Sequence, residues 1–374
     1  MRERTNESFG VLPGDGAIPL IRLSDGGGSG ATLAVMPYGA AMVDLRVPDR
    51  EGHPGPVILR YDTLDEYVQG TIYSGAIVGR IAGRLTGGRF VLDGREYRLE
   101  RNNPPNHLHG GNGGFYRRVW TVTGQSDDSV TMHYHSPAGE EGYPGSIDVE
   151  VEYRLGSAAW LPPGHDPAPV PASEKVTAPA PASAPASAAP VDLIIRTRAR
   201  TDAPTPLSTT SHAHFNLSGG GEQNVDSHRL AVYADHYTPT DDTMTLLGRV
   251  EPVEGTAADL RKPRLLGEVI PALHQRHGDN YLLRDVSREA AIRHVARAEH
   301  PASGRVMDTF TDASCLQFFG GDGLTAPFAR RAGFCLECQG YPDGPNHPEI
   351  DDIILRPGEL YSQTIVYRFR VTAS

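Results

Sequence analysis

An alternation of period two, recurring from one end of the chain to the other, is the feature that most constrains its fold. Between Ile147 and Leu155, the apolar residues Ile147, Val149, Val151, Tyr153 and Leu155 interleave with Asp148, Glu150, Glu152 and Arg154. Successive side chains of an extended strand point to opposite faces, so one face is apolar and the other polar, as a half-buried strand requires. Ile365, Tyr367, Phe369 and Val371 repeat the pattern near the carboxyl end. Phe90 to Tyr97 predicts a hairpin, because Asp93-Gly94 supplies the positive φ angles of a type I′ turn. Val119 to Thr123 and Val130 to His135 predict a second strand pair around Ser126-Asp127-Asp128. Helical signal is thin, and its best instance is Thr63-x-x-Glu66, the spacing of a capping box on a short helix. With 42 glycines and 31 prolines dividing the chain into many short strands, the expected fold is all-β, a large antiparallel β-sandwich.

One segment departs from this pattern. From about 157 to 190 the sequence is dominated by Ala, Pro and Ser, as in Ala178-Pro179-Ala180-Pro181-Ala182-Ser183. Such a composition buries too little apolar surface to offset the entropy of ordering it, so an extended or disordered insertion is expected. Strand-like sequence flanks it on both sides. A single domain over 1–374 with a surface insertion is therefore expected, rather than two domains joined by a linker; closure entropy grows only logarithmically with loop length.

Charge and composition narrow the function classes. A net charge of -11 argues against nucleic acid, whose phosphates need clustered Lys and Arg. Cys315, Cys335 and Cys338 cannot make a disulfide framework. The start, Met1-Arg2-Glu3-Arg4, leads into no apolar signal region, and no apolar run is long enough to span a bilayer. A soluble, cytoplasmic protein with no membrane partner is the expectation; oligomeric state leaves no trace in the sequence.

The densest polar stretch is Thr209-Thr210-Ser211-His212-Ala213-His214-Phe215-Asn216-Leu217. On a strand, His212 and His214 share a face, a spacing that suits acid–base work or metal ligation, although half-buried strand histidines are the commoner case. Gly79-Arg80-Ile81-Ala82-Gly83-Arg84 offers two arginines, whose planar forks suit hydroxyls or carboxylates. In Asn106-His107-Leu108-His109-Gly110-Gly111, His107 and His109 should again share a face. Gly278-Asp279-Asn280-Tyr281 is a further cluster. Cys335-Leu336-Glu337-Cys338-Gln339 contains a C-x-x-C, but residues three apart on a strand face opposite sides, and no second C-x-x-C completes a zinc site. Glu337 and Gln339 do share a face. Apolar neighbours favour burial of Glu337, which raises a carboxyl's pKa toward values useful in catalysis.

Taken together, these clusters resemble one family, the aldose 1-epimerases or galactose mutarotases, over nearly the whole chain outside the Ala/Pro-rich segment. Tyr61-Asp62-Thr63-Leu64-Asp65-Glu66-Tyr67 and Tyr73 to Arg80 look like its amino-terminal block. Asn106-x-Leu108-His109-Gly110-Gly111, His212-x-x-Phe215-Asn216-Leu217, and Glu337-x-Gln339 followed by Pro342-Asp343 and Asn346-His347-Pro348 are similar to its later motifs. The resemblance implies the galactose mutarotase-like supersandwich, His212 as general acid, Glu337 as general base, and Arg84, His109, Asp279 and Gln339 as groups that hold a monosaccharide. It implies no cofactor and no metal. Three departures bear on sugar preference: Gly83 stands where Asn is usual, His214 where Tyr is usual, and the chain is one residue short around Asp279. A sugar-binding protein without catalysis, an isomerase of another sugar, and a metal-dependent enzyme using the paired histidines are the rival readings.

Overall fold

The computed structural model describes residues 7–157, 189–283 and 291–372. The alternating segments form strands. In Ile147–Ser157 the five apolar residues from Ile147 to Leu155 are fully buried, while the charged residues between them reach solvent. This strand belongs to a nine-stranded antiparallel sheet. Its spatial order runs Thr121–Gln125, Ser129–Ser136, Ile147–Ser157, Val191–Thr201, Tyr361–Val371, Arg305–Thr311, Arg293–His300, Arg229–Val232 and Arg264–Leu265. An amino-terminal meander of five strands, Glu7–Leu12 to Pro54–Pro56, forms a second sheet. A third pairs Glu251–Pro252, His236–Thr238, Asn280–Leu282, Cys315–Phe319 and Cys335–Gln339 in that order.

The third sheet stands against the large one. From the strand Tyr361–Val371, the Tyr367 hydroxyl donates to the Leu336 carbonyl at 3.1 Å and Gln363 Nε2 donates to the Cys338 carbonyl at 2.7 Å. Tyr367, Phe369, Leu336, Cys338 and Phe215 share one apolar core with Val149 and Val151. The layered all-β sandwich expected from the sequence is what forms.

Local signals hold in detail. Thr63 caps the helix Leu64–Gln69, its hydroxyl accepting from the Glu66 amide at 3.3 Å while the Glu66 carboxylate accepts from the Thr63 amide at 2.9 Å. Arg89–Leu92 pairs with Arg95–Arg98 through Asp93 and Gly94, at φ 50° and 79°. Thr121–Gln125 pairs with Ser129–Ser136. No helix of the described residues is long and apolar enough to cross a membrane.

The strand Tyr361–Val371 differs from expectation, because its second face is buried as well. Val366 packs with Ile194 and Phe310, and Arg368 makes two hydrogen bonds to Asp192, at 2.8 and 3.0 Å. A charge can lie inside when its partner is inside with it. Of the Ala/Pro/Ser-rich stretch, 158–188 lies outside the described residues. The strands beside it are antiparallel neighbours, with Ser157 opposite Val191.

Candidate active site

The polar stretch at 209–217 is gripped from both sides. Thr210–Ser211 pairs with Ile77–Val78, and the His212 amide donates to the Ala76 carbonyl at 2.9 Å. Phe215 exchanges both backbone bonds with Phe334, at 2.7 and 3.0 Å. Phe334 leads straight into the strand Cys335–Gln339, so backbone pairing alone brings the histidines beside Glu337. Within that strand Leu336 and Cys338 face the core, and alternation turns Cys335, Glu337 and Gln339 the other way.

His212 Nε2 lies 3.7 Å from Glu337 Oε2, with both residues buried. On its other side, His212 Nδ1 lies 3.7 Å from Cys335 Sγ. Glu337 Oε2 has no hydrogen-bond partner. Burial raises the Glu337 pKa, against the opposing pull of His212 and Arg84. The two side chains form the floor of a cavity of about 200 Å³, walled by Arg84 and His109 and closed by apolar Met244, Leu246, Phe319 and Leu324.

His109 reaches this cavity by a turn, not by strand geometry. His107–Leu108 pairs with Arg84–Leu85, but His109 has φ 51°. The shared face expected for His107 and His109 is therefore absent: the strand ends at Leu108, and the left-handed residue that follows re-aims its side chain. His107 points away, Nδ1 lying 2.6 Å from the Glu100 carbonyl and Nε2 2.8 Å from the Tyr143 hydroxyl. His109 Nδ1 accepts from the Gly83 amide at 3.1 Å. Burial, then His212 and Arg84, hold the His109 pKa well below the ordinary imidazole range. A neutral ring accepting at Nδ1 carries its proton on Nε2 and acts as a donor there.

The two arginines of one short segment part company. Arg80 is buried and saturated, donating to Ser136, Pro137, Pro144 and Gly145; it is structural. Arg84 lines the cavity, its Nε donating to Asn103 Oδ1 at 2.9 Å. Burial lowers the Arg84 pKa, and the Glu337 carboxylate opposes that shift.

Asp279 and Gln339 are not among the residues that line the cavity. The wall near Asp279 is made by His277, Gly278 and Asn280, with Asn280 fixed by donating to Thr238 Oγ1 at 2.8 Å. Burial pushes the Asp279 carboxyl up to about 6. Gln339 is wholly buried, and neither amide atom has a partner. A β-carbon built on Gly83 would come within 3.3 Å of Gln339 Nε2, which sets Gln339 directly behind Gly83. Two further lining residues carry no sequence signal of their own. Tyr73, inside the amino-terminal motif, places its ring centroid 4.7 Å from that of His109 and 5.4 Å from that of His212. His277 precedes the Gly278-Asp279 cluster; burial, with Arg84 and His212, pushes its pKa down to about 3.

A family model described as aldose 1-epimerase matches residues 19–161 and 191–368. The chain belongs to the aldose 1-epimerase family. It is 35% identical to the galactose mutarotase of Rattus norvegicus, over 98% of each chain. It is 30% identical to the aldose 1-epimerase of Escherichia coli K12, over 97% of this chain and 99% of that one. The GalM/aldose epimerase homologue from C. elegans superposes with a TM-score of 0.80 at 25% identity, covering 96% of this chain and all of the other. As an aldose 1-epimerase the protein is an isomerase of carbohydrates. The family model breaks off at 161 and resumes at 191, leaving out most of the Ala/Pro/Ser-rich stretch.

Proposed function

We propose that this protein interconverts the α and β anomers of free aldohexoses, galactose or glucose, with Glu337 as base and His212 as acid. One observation carries the reading: an imidazole nitrogen and an unpartnered carboxylate oxygen 3.7 Å apart on the floor of a cavity, in a chain so similar to galactose mutarotases. Glu337 takes the proton of the anomeric hydroxyl. The freed pair on O1 forms the C1=O1 double bond, the C1–O5 bond breaks, and O5 receives a proton from His212. Rotation about C1–C2 and reclosure with the roles reversed gives the other anomer. Transfer at both ends keeps a free oxyanion from accumulating.

Arg84 and His109 are donors for the sugar's hydroxyls, Arg84 through its fork and His109 through Nε2. Gln339 backs the wall behind Gly83. Asn280 and His277 are better placed than Asp279 for contact with the sugar. The whole chain is read as one domain, on the strength of a core that draws on all three main sheets.

Polarimetry on freshly dissolved α-D-galactose and α-D-glucose tests this. The protein should speed the drift to equilibrium rotation. A Glu337→Gln variant that is as fast as the unaltered protein would remove the catalytic claim.

A further inference from the structure

Beside the His212–Glu337 contact lies a cluster of which the proposed mutarotation uses only His212, with His214 on the wall of the same cavity. His214 is wholly buried, and neither ring nitrogen completes a hydrogen bond. Burial, then the His212 side chain, hold the His214 pKa well below the ordinary imidazole range, against a smaller opposing pull from the His212 main chain. A neutral imidazole has one donor and one acceptor to satisfy, and native interiors rarely leave both bare without a ligand. The His214 ring centroid is 5.0 Å from that of His212. One ligand atom each from His212, His214 and Cys335 lie within 4.8 Å of one another.

We propose that these three side chains bind a soft divalent cation, Zn²⁺ being the best fit, and that the bound ion switches the epimerase off. Two imidazoles and a sulfur are zinc ligands, whereas Ca²⁺ and Mg²⁺ need oxygen. With Zn–N about 2.0–2.1 Å and Zn–S about 2.3 Å, tetrahedral ligands stand roughly 3.6 Å apart. The observed separation of His212 Nδ1 and Cys335 Sγ is 3.7 Å. Of the three cysteines, Cys338 faces the apolar core and Cys315 packs with Leu246 and Tyr341, so Cys335 alone serves the cluster. Burial, with Glu337 adding to it, keeps the Cys335 thiol protonated. Zinc replaces that proton: Cys335–SH and Zn²⁺ give Cys335–S–Zn and H⁺. An acid that ends neutral must start as imidazolium, so zinc on Nδ1 displaces that nitrogen's proton as a second H⁺; the remaining Nε2 proton could then leave only by making an imidazolate, and O5 goes unprotonated. This last step rests on His212 being the acid; the binding does not.

Metal-free full-length protein is titrated with Zn²⁺ by calorimetry in two buffers of different ionisation enthalpy, and with Co²⁺ in a spectrophotometer. The expected results are one ion per chain, about two protons released per ion, one from the Cys335 thiol and one from Nδ1 of His212, and a thiolate-to-cobalt charge-transfer band. Zinc should abolish mutarotation, and a chelator should restore it. Cys335→Ala should remove the band and weaken zinc binding by at least about 100-fold, more than the loss of an outer-shell partner costs. His214→Phe should also weaken binding, each variant being compared with its own metal-free rate. Absence of binding overturns the proposal. So does cobalt bound without the band, which would put the ion on His109, His212 and Glu337, whose ligand atoms also lie within 4.8 Å of one another. Binding with the band but undiminished mutarotation overturns the switch and the acid role of His212 together, while the variants still decide the site.

Discussion

Two buried carboxylates in this molecule have opposite fates. Asp308 lies on the face of the nine-stranded sheet turned away from the main core and is fully buried. It accepts from Arg297 Nε at 2.7 Å and Arg370 Nε at 2.8 Å, with the His294 ring 2.9 Å away. Glu337 is buried almost as deeply, yet the His212 ring stands 3.7 Å away and one of its oxygens has no hydrogen bond. Burial pushes both carboxyls up. At Asp308, bonds from His294, Arg297 and Arg370 outweigh it and hold the group below the usual range. At Glu337 the pull of His212 and Arg84 does not, and the pKa stays raised. Depth alone therefore does not mark a reacting group. Depth, a carboxylate oxygen without a partner and a place on a cavity wall together do, and Glu337 combines the three.

The largest expected effect comes from the unpaired group. Glu337→Gln should slow mutarotation by about 10²–10⁴-fold, the usual contribution of a positioned acid or base, with the urea midpoint unchanged or higher. Asp308→Asn should do the reverse. Removing the charge that two half-buried guanidinium groups bond to should cost about 1–3 kcal/mol, read by urea unfolding, while the folded fraction keeps its turnover. An Asp308→Asn protein that was slow but undiminished in stability would break the comparison. Their pH signatures also differ in sign. Asp308 has a depressed pKa, so its stabilisation is present above the ordinary Asp value of about 3.9 and is lost as pH falls toward its folded pKa. Glu337 has a raised pKa, so the fold loses stability as pH climbs from about 4.3 through the folded value. Urea midpoints measured across acid pH in the two variants and the parent separate the contributions.

The same contrast, between what neighbours in the chain decide and what distant residues decide, governs how much of the molecule is legible in its sequence. Strand positions, the Thr63 cap and the Asp93-Gly94 turn are set by neighbours a few residues away, so the sequence displays them directly. The buried second face of Tyr361–Val371 depends on Asp192 meeting Arg368 across 176 positions, and no local pattern announces that. In the site, Glu337 is legible because it sits on a strand, where alternation fixes direction, and His212 because it follows directly on the strand Thr210–Ser211. His109 is legible only through its motif; the strand rule misplaces it relative to His107 because its φ is positive. Around Asp279 a slip of one residue decides which side chains face the cavity, and there His277 and Asn280 hold the wall. Nothing near His277 in sequence marks it as a neighbour of Arg84.

Arg84 sharpens the comparison at smaller scale. It is the cavity's own guanidinium, yet it stands apart from Glu337 and opposes only part of the burial cost. Arg84→Met should raise KM by about 10–100-fold, the value of hydrogen bonds from a charged donor at about 1.5–3 kcal/mol. It should also move the acid limb of the pH–rate profile upward, since less positive charge remains to hold Glu337 ionised. A limb that stayed in place while KM rose would mean that Arg84 binds sugar without tuning the base.

The smallest effect is expected at Gly83, where backbone and site meet. Its φ is +80°, and an added β-carbon would lie 2.6 Å from Pro342 Cγ. Gly83→Ala should therefore cost about 1–2 kcal/mol for the left-handed backbone, with some further displacement of Pro342. The Gly83 amide also fixes the His109 tautomer by donating to Nδ1. If that bond survives, the variant should be less stable with KM nearly unchanged. If it breaks, Nδ1 can take the proton, His109 loses its donor at Nε2, and KM should rise without a shift in the acid limb. Measuring stability, KM and the limb on this one variant separates backbone strain from loss of a sugar contact, and both from any change at Glu337.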